Sequence, residues 1–430
     1  MKADVLVVGA GPAGLAAATE LRRLGVGRVL VADREREPGG VPRHCAHTGY
    51  GVRDLRRLMS GPAYARRYAH AAADSGAEVR CRTTVAALGQ DAPDQHWADQ
   101  HSPGQDAAPG MLRATLTSPA GIDSVTASAV LLATGCRERP RPARLVPGDR
   151  PAGVMTTGEL QQRVYLAAER LAGRAVIIGA EHVSFSALLT LSHAGAQVTG
   201  LVTDQPRHQS FRLFRLAAAL RWRTPVWTST VVSRIIGQQN VSAVELRDQR
   251  TGEARRVDCE TVVFTGDWIP DHELARGAGA RMDPASRGPS VDTALRTSVP
   301  RLFAAGNLVH PAETADVAAL AGRHAARAIA ADLRGFGSRA ALPGVPVLVA
   351  GPLAWITPAA IGPDLSPPPL GRFLVRGTEF RRAKIDVRQA DRLLGTDRIR
   401  LVPGRNSGLA GDWVAQVDPE GGPVMVTIAP

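Results

Sequence analysis

The sequence predicts an α/β fold: two parallel-sheet domains of the βαβ type, one inserted in the other, plus a small β-rich C-terminal region. Three observations carry this. "DVLVVGAGPAGLAAATELRRLGVGRVLVADRE" near the start and "RAVIIGAEHVSFSALLTLSHAGAQVTGLVTD" from Arg174 each read as apolar strand, glycine turn, helix and second strand. Further strand-like runs enter glycines, at "SVTASAVLLATG" and "LFAAGN". From about residue 337 the pattern changes to short runs such as "RFLVRG", "IRLVPG" and "PVMVTI" between turns.

Taken in order, the first unit opens on "GAGPAG", which gives Gly9, Gly11 and Gly14 in full G-x-G-x-x-G spacing. Gly9 permits the tight turn, Gly11 lets backbone approach a pyrophosphate, and Gly14 lets helix and strand pack closely. Asp33 ends the next strand, where its carboxylate can accept hydrogen bonds from ribose hydroxyls. The unit is therefore Rossmann-like and binds a dinucleotide. Residues 89–110 are polar and turn-rich and read as a surface loop or extended hairpin. "RERPRPARLVPGDRPAGV" is a proline-rich connector at a domain boundary. The expected domains are residues 1–150, an insertion at 151–264, the return of the first domain at 265–336, and the β-rich region at 337–430.

The second unit poses a question. Its loop, "GAEHVS", keeps Gly179 but places Glu181 and Ser184 where the second and third glycines would stand. A carboxylate there adds bulk and repels an anion by roughly 1 kcal/mol or more at contact distance, even when well screened. The inserted domain therefore reads as a structural relic, or as binding something other than NAD(P)H.

Composition bounds the rest. Hydrophobic residues at 44% and charged residues at 21% are ordinary for a globular chain of 430 residues. The formal charge of +12 invites a nucleic-acid reading, but the bases are scattered and almost all arginine, with only Lys2 and Lys384. An acidic protein partner fits better, and no nucleic acid is expected. Cys45, Cys81, Cys136 and Cys259 lie far apart, with no C-x-x-C pair for a redox disulfide or cluster. The longest uncharged stretch, residues 341–363, is broken by five prolines and is not a membrane helix. "MKADVLVVGAG" leaves no room for a signal peptide, so a cytoplasmic location and no membrane are expected.

The order of these pieces resembles the two-dinucleotide-binding-domain flavoproteins of the pyridine nucleotide–disulfide reductase superfamily. The resemblance covers residues 3 to 332 and rests on "GAGPAG", "LLATG" and "LFAAGN". It implies FAD at the first loop, with contacts from Gly9, Gly11, Pro12, Ala13, Gly14, Asp33, Arg34, Gly40, Val85, Ala133, Thr134, Gly135, Gly306, Asn307, Thr314 and Ala315. Asn307 stands where the superfamily has Asp; its amide still offers an acceptor and adds a donor. The helix from Thr314 and Ala315 would point its N-terminus at the flavin and favour the anionic reduced form. Cys45 and Cys136 have no partner cysteines nearby, which disfavours a disulfide reductase.

Four local runs, "GGVPRHCAHTGYGVRDLRRLMSGPAYARR", "VPGDRPAGVMTTGELQQ", "TGDWIPDHELAR" and "NLVHPAETADVAALAGRHAA", are similar to the flavoprotein subunits of hydrogen cyanide synthase, opine (octopine and nopaline) oxidases and related amino-acid dehydrogenase complexes. That resemblance implies a small-molecule amine or amino-acid substrate, an iron–sulfur protein and a second flavoprotein subunit. The tail departs from it, since no cysteine follows Cys259. By the same analogy His44 and His47 after the Gly39–Gly40 turn, and His310 and Glu313 in "HPAET", are candidate catalytic groups. The plainer readings are local hydrogen bonding for the first pair and helix capping, with Thr314 as cap, for the second. No metal is expected. Two other functions stay open: a stand-alone NAD(P)H-dependent reductase, and a non-catalytic FAD-binding scaffold.

Overall fold

A computed structural model describes residues 1–90, 111–335 and 344–429. Most of the expected 89–110 loop and the expected boundary at 337 lie outside the described residues. The first strand, β1 (Lys2–Val8), is followed by α1 (Pro12–Arg23) and β2 (Val29–Ala32), then α2 (Gly61–Asp74) and β3 (Glu78–Arg80). Three strands then form a meander: β4 (Thr84–Gln90), β5 (Leu112–Ser118) and β6 (Gly121–Leu132). The sheet order is β3-β2-β1-β6-β5-β4. β3, β2, β1 and β6 are mutually parallel, and the β6-β5-β4 side is antiparallel. The central strands are apolar on both faces, with Val5–Val8 and Val29–Ala32 buried throughout, as a sheet covered on both sides requires.

Next come β7 (Val154–Thr156), β8 (Arg174–Ile178), α3 (His182–Ala194), β9 (Gln197–Val202), α4 (Arg212–Arg221) and β10 (Val226–Trp227). An antiparallel excursion, β11 (Thr230–Gly237), β12 (Val241–Asp248) and β13 (Ala254–Asp258), precedes β14 (Thr261–Phe264). The parallel sheet runs β7-β14-β8-β9-β10. Helix α3 stops at Gly195, whose φ of +99° closes the left-handed turn that L-residues avoid.

The chain then returns through β15 (Leu302–Ala304), which lies parallel to β6 with Leu302 beside Val130, and through α5 (Ala315–Leu333). Its tail is all β: β16 (Val345–Val349), β17 (Leu353–Thr357), β18 (Arg372–Gly377), β19 (Arg381–Gln389), β20 (Arg392–Leu401), β21 (Asn406–Ala410) and β22 (Val424–Ile428). One sheet contains β16-β22-β19-β20 and the other is β17-β18-β21. Their inner faces form a separate apolar core in which Phe373 stacks on Trp413 with ring centres 4.9 Å apart.

The chain divides into two compact bodies. The outer body holds residues 1–43, 49–136 and 270–430, and the inserted body holds 44–48 and 137–269. Within the outer body α5 packs on α1 so closely that a Cβ on Gly322 would lie 2.0 Å from the carbonyl oxygen of Ala13. Buried Arg296 pairs with Asp292 at 3.3 Å, Asp332 on α5 at 3.0 Å and Asp364 of the tail at 3.6 Å. No helix among the described residues is long and apolar enough to cross a membrane.

Candidate functional site

In the outer body, three segments meet around the first glycine loop. Ala13 of α1, Ala133 after β6 and Ala318 of α5 pack together. Gly9, at φ +106°, would place a Cβ 2.5 Å from the Ala133 carbonyl oxygen, so the turn admits no side chain. Gly14 would place one 1.9 Å from the Gly9 carbonyl. A Cβ on Gly11, by contrast, meets nothing within 4 Å. The space Gly11 keeps clear is not needed by any part of the chain, which suits a ligand's phosphates. Helix α1 starts there with Pro12, has no side-chain cap and carries no acid in its first turn. Its positive end is left for an anion from outside.

The neighbouring groups fit the same ligand. Asp33 accepts hydrogen bonds from the amides of Ala10 and of Glu35, one on each oxygen, and a carboxylate has lone pairs left for ribose hydroxyls. Gly39 donates to the Ala10 carbonyl at 2.8 Å, and Gly40 lies against Gly11. Thr83 donates to the Asp33 carbonyl, which brings the start of β4, with buried Val85, to the same edge. Thr134 and Gly135 are tied to Asp271: the Thr134 hydroxyl donates to its carbonyl at 2.7 Å, and its amide donates to Gly135. Arg34 points away as an exposed side chain paired with the Asp271 carboxylate at 3.3 Å.

The returning segment completes this end of the body. Gly306 would put a Cβ 2.8 Å from that of Ala13. The Asn307 side chain clasps the next turn, its oxygen accepting the Glu313 amide at 3.0 Å and its nitrogen donating to the Glu313 carbonyl at 3.1 Å. Thr314 occupies the N-cap position of α5 but makes no cap hydrogen bond; its hydroxyl turns to Asp316. Asp316 accepts the amides of Val317 and Arg53. The positive end of α5 thus already faces its own carboxylate, which weakens the expected pull on a reduced flavin.

His310 is buried, burial pushes its pKa down to about 4, and its Nδ1 has no hydrogen-bond partner among the described residues. Glu313 is raised above the usual carboxyl range by burial, opposed by Asn406 and by the charges of Arg53 and Arg376. Arg376 donates to the Pro311 carbonyl at 2.8 Å and, through Nε, to the Asn406 side-chain oxygen at 2.8 Å. The β-rich tail therefore closes the turn that carries His310 and Glu313. Arg376 and Asn406 were not legible as site residues, since nothing in "FLVRGT" or "GRNSG" marks them; their role comes only from the fold.

In the inserted body, the Glu181 carboxylate turns back onto the start of its own helix, α3. It accepts the Ser184 amide in a reciprocal capping box, the Ser184 hydroxyl at 2.7 Å and the Thr265 hydroxyl at 3.1 Å. A Cβ on Gly266 would lie 1.8 Å from Glu181 Oε1, and one on Gly179 would lie 2.6 Å from Oε2. The carboxylate thus occupies the space bounded by Gly179, Ser184, Thr265 and Gly266. Ser184, standing where the third glycine would, is the second half of the box. Buried Glu138 accepts the amides of Gly158 at 2.8 Å and Gly266 at 3.3 Å. Burial, with Glu181 adding repulsion, raises its pKa to about 7. Arg144 donates to the carbonyls of Thr265 and Gly266, at 2.8 Å each, and lies over the Phe264 ring.

His44 and His47 belong to this body, so the four expected catalytic groups do not form one cluster within either. His44 is buried, and His47 Nδ1 lies 2.9 Å from the Thr48 carbonyl oxygen. Between them the Cys45 thiol donates to Gln161 at 3.0 Å, the contact of a packed structural cysteine.

An open phosphate loop in one α/β body and a second nucleotide-type body inserted in it define a class. Residues 3–322 match the family of pyridine nucleotide-disulphide oxidoreductases, and the chain belongs to that family. Among curated relatives it is 31% identical over 357 residues to an opine oxidase subunit of Agrobacterium tumefaciens, covering 77% of this chain and 66% of that one. It is 27% identical to the corresponding opine oxidase subunit of Rhizobium meliloti, of which it spans 63%. Thioredoxin reductase of T. acidophilum shares the fold, with a TM-score of 0.63 at 23% identity over 77% of this chain and 98% of that one. The fold class and the superfamily expected from the sequence are those found.

Proposed function

We propose that the chain is the FAD-binding subunit of a multi-component dehydrogenase or oxidase acting on the CH–NH bond of an amine or opine-like amino acid. The observation that carries this is the contrast between the two loops. The first has a clear niche at Gly11 and an uncapped helix end; the second is filled by Glu181. One nucleotide site is open and the other is closed from within. The similarity to the two opine oxidase subunits supports the substrate class and the need for a further component.

FAD would be held by Gly9, Gly11, Pro12, Ala13, Gly14, Asp33, Gly306 and the start of α5. When bound it supplies two-electron oxidation of the C–N bond. His310, held neutral by burial at a pKa of about 4, is too weak a base to deprotonate an ammonium group; its Nδ1 would accept a hydrogen bond from an amine that is already neutral. Glu313 can hold a proton in the same turn, and the Arg376–Asn406 clasp keeps that turn in place.

The purified chain is expected to be yellow and to release FAD on denaturation, and Gly11→Val to lose the cofactor by filling the phosphate niche. In anaerobic stopped-flow, NADH and NADPH should bleach the flavin slowly or not at all. Amino acids or opines should do so once a second, oxidase-like flavoprotein subunit is present. Fast, saturable bleaching by either nicotinamide would instead establish a stand-alone reductase.

A further inference from the structure

Helix α4 of the inserted body reverses the usual arrangement of a surface helix. Ala218 is fully buried, and Phe214, though 40% exposed, has its ring beside His182 and Phe185 with ring centres 5.7 and 5.9 Å away. Yet Leu213, Leu216 and Leu220 are 69%, 54% and 73% exposed. At 100° per residue these three lie within an arc of about 60°, on the face turned away from the core. Arg212 and Arg221 flank the stripe on the helix, Arg215 lies on the same helix, and Arg207 and Arg223 precede and follow it in sequence. No acidic residue occurs between Asp204 and Glu245.

We propose that α4 is the docking element for a partner protein, inserting Leu213, Leu216 and Leu220 into an apolar groove rimmed by carboxylates. The inference rests on the multi-component reading above and adds where the partner sits. The i, i+3, i+7 spacing is that of anchors on a helix laid in a groove. The arginines on both sides call for negative charge on both walls, which gives fast, salt-sensitive encounter. A second copy of the same helix is a poor match, because five arginines would face five with no acid between them. A lipid surface is also disfavoured. The stripe is about two turns long and one side chain wide, and the neighbouring aromatic, Trp222, is committed to the fold by donating to Ser192 at 2.9 Å.

The test uses this chain co-expressed with the second, oxidase-like flavoprotein subunit that the multi-component reading calls for. Leu216→Ser combined with Leu220→Ser should weaken the complex at least tenfold while leaving circular dichroism and the melting temperature unchanged. Arg212→Glu with Arg221→Glu should do the same and flatten its salt dependence. A benzoylphenylalanine at 216 should cross-link to the oxidase-like partner, and one at exposed Ile122 should not. If the parent forms a complex that these variants retain, the docking site is wrong while the multi-component reading stands. If the parent forms no complex, both fail. Leucine-dependent binding to phosphatidylserine vesicles, or a leucine-dependent homodimer in light scattering, would reassign the stripe and overturn the proposal.

Discussion

Glu138 shows how a single carboxyl can set a pH dependence. Its pKa rises from 4.5 to about 7 because it is buried beside Glu181. A folded-state value above the unfolded one means the native chain holds the proton more tightly. Its contribution to stability is therefore greatest below about pH 4.5 and is lost as pH rises through 7. The full difference is on the order of 3 kcal/mol. His310 works in the opposite sense, since its depressed pKa removes stability as pH falls from 6.5 towards 4. Comparison of parent and variant separates the two: Glu138→Gln should gain stability over the parent between pH 5 and 8, read from urea midpoints of the inserted body. Glu138 could not be picked out in "GCRERP", because its partners are backbone amides twenty or more residues away. Glu181 was legible as an intruder in a phosphate loop, but its acceptance by Thr265 was not.

At the scale of elements, the start of α3 behaves as an anion site with its anion built in. Glu181→Ala should remove a helix cap worth about 1 kcal/mol and leave the niche of Gly179, Thr265 and Gly266 vacant. Added phosphate or sulfate should then raise the melting temperature of the variant and not of the parent, as measured by differential scanning fluorimetry. Equal responses from the two proteins would show that the niche was never an anion site. Both βαβ units could be read from sequence because apolar strands, glycine turns and helices follow one another within thirty residues. The antiparallel excursion β11–β13 was not legible: its strands are polar on one face and need each other's edges, a pairing no local pattern announces. The outward leucines of α4 mislead a pattern reader for a related reason. Apolar residues on both faces resemble a buried helix.

For the molecule as a whole, Arg296 joins three parts of the outer body through Asp292, Asp332 and Asp364. Removing its charge leaves the buried Asp292 carboxylate uncompensated, so Arg296→Ala should destabilise the outer body by about 3 kcal/mol. The inserted body should be untouched. Calorimetry should show one transition move and the other stay, whereas a joint shift would mean that the bodies unfold as a unit. The same long-range ties have a consequence for biosynthesis. The outer sheet needs β15 beside β6, and the turn bearing His310 needs Arg376 and Asn406 from the tail. Residues 137–269 leave the ribosome before any of these later pieces. A growing chain thus finishes its insert while the surrounding body is still open, and the phosphate niche at Gly11 is walled in only near the end of translation. Glu181 suits that schedule. A helix start capped by its own carboxylate is complete once Thr265, the last of that carboxylate's partners, has been made.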